Sequence, residues 1–358
     1  MPLARLFNRR LTIGLGLAAM LSLPLAACQG EDGKRDDAPA DAGVVNLYTA
    51  RHYDSDLQVY EAFTEATGIR VRRIEMPASE MIERLRAEGD ASPADVIVIA
   101  DAGAMGRAAE AGLLQPAASD DLVSRVPQNF RDPQNRWFGF TRRARVVAYD
   151  SAKVRPEEID TYEELASPRF RGKLCVRNSD NPYNISLLSA LIEHWGPERA
   201  TEWARGVVAN MARPPQGGDT DQIRAVGAGQ CEVAITNSYY FLRMAGSENA
   251  ADREIMQGVR LGFPSLDGRG SHNNVSAAGL AANAPNRANA IRFMEFLTEA
   301  QAQGVFAEVT NEFPTAEGAA VPERMRDYAA RPVDPLPMSA YGPRQAEAQR
   351  IFEAVGWR

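Results

Sequence analysis

The stretch VVNLYTARHYDSDLQVYEAFTEATGIRVRRIE, residues 44–75, decides the fold class. Val44–Tyr48 is apolar and β-prone, and Asp54 and Ser55 can cap a helix in which Leu57, Tyr60 and Phe63 recur at helical spacing until Gly68. Ile69–Ile74 then alternates as a strand. The same order continues outward. Ser79–Glu88 reads as a helix closed by Gly89, residues 95–100 (DVIVIA) as a buried strand, and the segment after Ala102 as a helix ending at Gly112. Strand and helix in strict alternation imply an α/β sheet with parallel strands.

A second series follows Val146–Tyr149. Strands are predicted at Lys173–Arg177, Cys231–Thr236 and Asn274–Ala281. Helices are predicted at Asn184–Trp195 (closed by Gly196-Pro197), Ala200–Val208, Thr220–Val226 and Arg287–Leu297, with a last amphipathic one near Arg344–Val355. With 358 residues, the chain has length for two domains that each bury a core. A net charge of −7 argues against a nucleic-acid binder, and 3 His with 3 Cys are too few for a Cys-rich zinc or iron–sulfur site. No Gly-x-Ser-x-Gly, Walker loop, dinucleotide fingerprint or His-Glu-x-x-His occurs, so no enzyme class is indicated.

The first residues set the compartment. Arg5, Arg9 and Arg10 precede an uncharged run from Leu11 to Ala27, an export signal rather than a spanning helix. Leu25-Ala26-Ala27-Cys28 resembles the lipobox of bacterial lipoproteins, which implies a lipoprotein signal peptide over residues 1–28, with Cys28 lipidated as the new N-terminus. Residues 29–43 are polar, without a large apolar side chain, and read as a flexible tether. A lipid chain holds such a protein at a membrane surface without spanning it. Export also places Cys175 and Cys231 in an oxidising space, where they are expected to form a disulfide. Two α/β lobes in an exported, anchored chain suggest a clamshell solute-binding protein that closes by a hinge.

Three predicted strand ends carry tyrosines: Tyr53 after the first strand, Tyr183 after residues 173–177, and Tyr239-Tyr240 after residues 231–236. In open α/β sheets ligands bind outside the carboxyl ends of strands. A phenol, with a reference pKa of about 10, ligates only when a hard, highly charged cation displaces its proton. Ferric ion meets that description; calcium calls for carboxylates and zinc or copper for His or Cys. The same tyrosines could instead pack, or stack on a sugar or polyamine.

The motifs Tyr48-Thr49-Ala50-Arg51-His52-Tyr53, Asn237-Ser238-Tyr239-Tyr240 and Val355-Gly356-Trp357 resemble the periplasmic ferric-iron-binding proteins of bacterial ABC importers. The likeness runs from about residue 44 to 358 and includes Arg143-Ala144-Arg145-Val146-Val147 and Gly270-Ser271-His272-Asn273-Asn274. It implies a non-enzymatic, two-lobe type II binding fold that delivers Fe(3+) to a permease and ATPase. Carried over position by position, it makes Tyr53 the first-lobe ligand and Tyr183, Tyr239 and Tyr240 the second-lobe ligands. His52 is a further candidate, and a synergistic anion could complete the site. The expected organisation is residues 44–145 with 275–300 as the first lobe, 146–274 as the second, and 301–358 as a helical segment packing on both. Four phenolates around a trivalent ion leave a charge of −1, which calls for a cation nearby. Arg51, Arg142, Arg143 and Arg145 are the candidates, Arg145 foremost. The expectation is a monomeric, periplasmic, lipid-anchored protein; a type II binder of a polyamine or oxyanion is the alternative.

Overall fold

Apolar, β-branched runs separated by amphipathic helices build a mixed sheet whose two portions share one long strand. The computed structural model describes residues 42–51, 53 and 56–358. The leader with Cys28, residues 29–41 of the tether, His52 and the predicted caps Asp54 and Ser55 lie outside the described residues. The strands are β1 (Val44–Thr49), β2 (Arg70–Glu75), β3 (Val96–Ile99), β4 (Trp137–Asp150), β5 (Leu174–Cys175), β6 (Val233–Asn237), β7 (Val259–Gly262), β8 (Asn273–Leu280) and β9 (Phe313–Pro314). Their order is β2-β1-β3-β8-β4-β6-β5, with β7 and β9 also on β4. β1 runs parallel to β2 and β3, and β5 parallel to β6. β8 and β4 run antiparallel to their neighbours and carry the chain between the two portions.

The long strand joins the two portions of the sheet. Residues 137–144 of β4 pair with β8, whereas 145–149 pair with β6 and 147–150 with β7. Only its last part, Val146–Tyr149, is expected from the sequence, because Thr141–Arg145 separates it from the equally apolar residues 137–140. Thr141, Arg142, Arg143 and Arg145 interrupt the apolar pattern, yet all four are buried because each finds polar partners inside the protein. Two further expectations shift. β2 does not alternate in burial; it is the exposed edge of the sheet, and Ile74 is 41% exposed. The predicted strand 173–177 pairs only at Leu174–Cys175.

The helix Pro182–Asn210 is broken at Gly196, whose φ of 80° no other residue type adopts cheaply, so the predicted pair of helices stands. The C-terminal helix Tyr341–Val355 packs against Pro182–Asn210 and against Ala102–Glu110. Contact with the latter is close: a Cβ on Gly103 would fall 1.9 Å from the Gln345 side chain. Beyond it Trp357 is buried against Trp203 and Phe352 and donates Nε1–H to the Arg177 carbonyl at 3.1 Å. The final residues therefore brace the loop that follows β5.

Cys175, ending β5, and Cys231, just before β6, are bonded with Cα atoms 5.8 Å apart. Closing a loop of this length contributes about 4 kcal/mol by the chain-entropy estimate. Thiol labelling of unfolded, unreduced protein lacking residues 1–28 should find no free thiol; two reactive thiols would contradict the bond.

Candidate metal centre

Each tyrosine of interest stands where a strand gives way to a loop or helix. β5 ends at Cys175, and Asn181 caps the following helix by accepting the Tyr183 N–H at 3.0 Å, which fixes Tyr183 in the first turn. β6 ends at Asn237 and the helix Ser238–Ala245 starts immediately, so Tyr239 and Tyr240 are its second and third residues. Tyr53 follows β1 in a loop held by Arg51, whose Nε and Nη2 donate to both carboxylate oxygens of Asp56 at 2.8 and 2.9 Å.

The phenol oxygens converge. Tyr239 Oη lies 3.0 Å from Tyr183 Oη and 3.4 Å from Tyr53 Oη, and the Tyr239 and Tyr240 rings are 4.2 Å apart. A first-row metal holds oxygen ligands at about 2.0–2.2 Å, so neighbouring ligand oxygens on an octahedron or tetrahedron are separated by about 2.8–3.6 Å. Both measured separations fall in that window. Among the described residues no group of three or more His, Cys, Asp or Glu could hold a metal, so the tyrosines are the donor set available.

Burial dominates the electrostatics. It pushes the phenols of Tyr53, Tyr239 and Tyr240 above their ordinary value, and mutual proximity of the tyrosines raises them further. Glu312 adds to the effect at Tyr53, while Arg143 opposes it at Tyr239. These phenols are protonated at neutral pH without a cation, and any cation bound here must displace protons.

The four arginines separate into two roles. Three surround the rings: the Arg51 guanidinium lies 5.0 Å from the Tyr53 centroid, and those of Arg143 and Arg145 lie 5.6 and 5.9 Å from the Tyr183 centroid. Arg145 is 1% exposed and is held by Asp219 at 2.6 Å, Asn184 at 2.7 Å and Asn237 at 3.2 Å. Arg142 points elsewhere, to Asn273, the Ala329 carbonyl and the Phe313 ring, and burial lowers its pKa to about 10. It is therefore no candidate for balancing charge at the tyrosines, because the side chain leaves β4 on the far side.

Several contributors were missing from the sequence reading. Glu312 is buried and accepts from Arg51 Nη1 at 2.9 Å and from Thr141 and Thr310, each at 3.2 Å. Asp219 also accepts the Asn237 N–H at 2.7 Å, and Arg177 lies 5.5 Å from the Tyr183 centroid. No local pattern marks Glu312 or Asp219; only burial of a carboxylate identifies them. Tyr162, which reads as remote from the strand ends, is instead buried at the β4–β8 crossing, donating to the Arg145 carbonyl and accepting the His272 N–H at 3.2 Å.

A family model described as bacterial extracellular solute-binding protein matches residues 58–333. Iron uptake protein A1 of Synechocystis is 41% identical, covering 98% of this chain and 99% of that protein. A Trichodesmium protein solved in complex with iron and citrate ligands superposes with a TM-score of 0.84 at 43% identity, over 88% of this chain and all of that one. The ferric binding protein from Campylobacter jejuni gives a TM-score of 0.82 at 35% identity, again over 88% of this chain and 100% of that one. The architecture is thus the type II periplasmic-binding-protein fold, in keeping with the strand order and the long strand shared by both portions of the sheet.

Proposed function

The chain belongs to the bacterial extracellular solute-binding protein family, and we propose that it is the solute-binding component of an iron ABC importer, holding Fe(3+) through the phenolates of Tyr53, Tyr183, Tyr239 and Tyr240. The observation that carries this reading is the convergence of three phenol oxygens at 3.0 and 3.4 Å around Tyr239. His52, next to Tyr53, and a small anion are the candidates to complete coordination. The function is carriage and delivery to a permease and ATPase, without catalysis. Residues 44–145 with 275–300 form the first lobe and 146–274 the second, a division supported by the change of partners along β4 after Ala144. Residues 301–358 pack on both, supported by the contacts of the helix Tyr341–Val355. An ion that takes Tyr53 from one lobe and the other three from the second favours the closed state through its greater affinity for it. Cys28 is the lipidation site of a monomeric protein tethered to a bacterial membrane on its periplasmic side.

Iron-loaded protein should show a broad visible band from phenolate-to-ferric charge transfer. The sign of its pH dependence follows from the raised phenols. Loading releases protons, so retention strengthens as pH rises, and acid bleaches the band as phenolates reprotonate. A colourless protein without iron by elemental analysis, after iron supply, would overturn the reading and favour a polyamine or oxyanion as solute.

A further inference from the structure

Four buried charges sit beneath the tyrosines and cancel. Arg51 pairs with Asp56 and Glu312, and Arg143 lies 3.7 Å from the second Glu312 oxygen. Two guanidiniums thus share two carboxylates, and the cluster has no net charge. Its two cations are the ones set against the ligand rings of different segments, Arg51 at Tyr53 and Arg143 at Tyr183. The second cluster is different: Arg145 and Arg177 share Asp219 alone, which leaves one positive charge beside Tyr183.

We propose that Glu312 is an affinity-limiting residue, whose buried carboxylate cancels positive charge that would otherwise strengthen ferric binding. This rests on the ferric reading above. Glu312 touches no phenol in the contacts described and acts by its charge, on Tyr53 directly and through the arginines it neutralises. Its placement is firm, since Thr141 and Thr310 donate to the oxygen that also receives Arg51. With an interior effective dielectric near 20, one unit charge several ångströms away changes binding of an anionic complex by about ten-fold or more. A carrier that must surrender its ion to a permease gains from such a restraint, because release is made easier without loss of any ligand.

The test is Glu312→Gln, which keeps the size and the acceptor toward Arg51 but removes the charge. Ferric protein is titrated with citrate, and the concentration that removes half the charge-transfer band is compared with the parent's. The expected result is a rise of about ten-fold, together with a lower melting temperature of the iron-free variant, whose arginines have lost a counter-charge. A purely structural role predicts the opposite, iron loss in step with lost stability. Glu312→Asp keeps the charge and should not gain retention. If Glu312→Gln does not fold, Asp56→Asn discharges the same cluster from its other end and must gain retention instead. A parent that never colours refutes the ferric reading; a coloured parent whose folded variant holds iron no better refutes this one.

Discussion

Replacing Tyr239 by Phe should lower ferric retention by more than about 100-fold, beyond the 10–100-fold typical of losing a partner outside the ligand shell. Tyr239 Oη is the oxygen common to both measured phenol contacts, so the change removes the centre of the donor set. The ring stays in place. It is 1% exposed and packs on Tyr240, and Phe preserves both relations. The hydroxyl contacts only other phenol oxygens in the described structure, so its net worth to the iron-free fold is about 1 kcal/mol at most. The measurement is iron content and visible absorbance after exposure to citrate, alongside thermal unfolding of the iron-free protein. Tyr328→Phe is the comparison, since Tyr328 packs on Phe241 and Phe263 away from the cluster. A Tyr239→Phe protein that keeps iron as the parent does would remove Tyr239 from the ligands.

How much of this was legible depends on whether a feature is local. Helix Arg287–Leu297 was readable to the residue because its apolar period and its ends lie within one segment. The strand-end tyrosines were readable for the same reason: each follows an apolar run, closed by Asn and Ser before Tyr183 and Tyr239 and by Thr49 and Arg51 before Tyr53. β4 was not, because its middle, residues 141–145, is polar in sequence and is buried through distant partners, such as Glu312 for Thr141 and Asn273 for Arg142. Tyr162 shows the same limit. Its segment reads as helix-like and away from the strand ends, yet the side chain crosses to β4 and to the backbone before β8. Charge balance is expected from the sequence to need a cation, and Arg145 lies 5.9 Å from the Tyr183 centroid, whereas the carboxylates that complete each cluster have no signature short of the fold.

Asp219→Ala should destabilise the iron-free protein by about 3–5 kcal/mol, the range for removing one partner of a buried ion pair. Asp219 is fully buried at the first position of the helix Asp219–Gly227 and accepts from Arg145 at 2.6 Å and from the Asn237 N–H at 2.7 Å. Alanine leaves Arg145 charged in the interior with only two asparagine oxygens, and it orphans a backbone donor at the end of β6. For a body of this size the loss corresponds to a melting temperature lower by about 5–8 °C. The same change withdraws a negative charge that, after burial and the neighbouring Tyr183, helps to raise the Tyr240 phenol. Arg145, 5.9 Å from the Tyr183 centroid, would then face the phenolates unneutralised. Iron should therefore raise the melting temperature of the variant by more than it raises the parent's, because a ligand that binds the folded state more tightly adds more stability at equal concentration. Calorimetry of iron-free and iron-loaded samples reads both effects in one experiment. Equal increments on loading, despite the lower iron-free value, would show that Asp219 supports the fold without acting on the site.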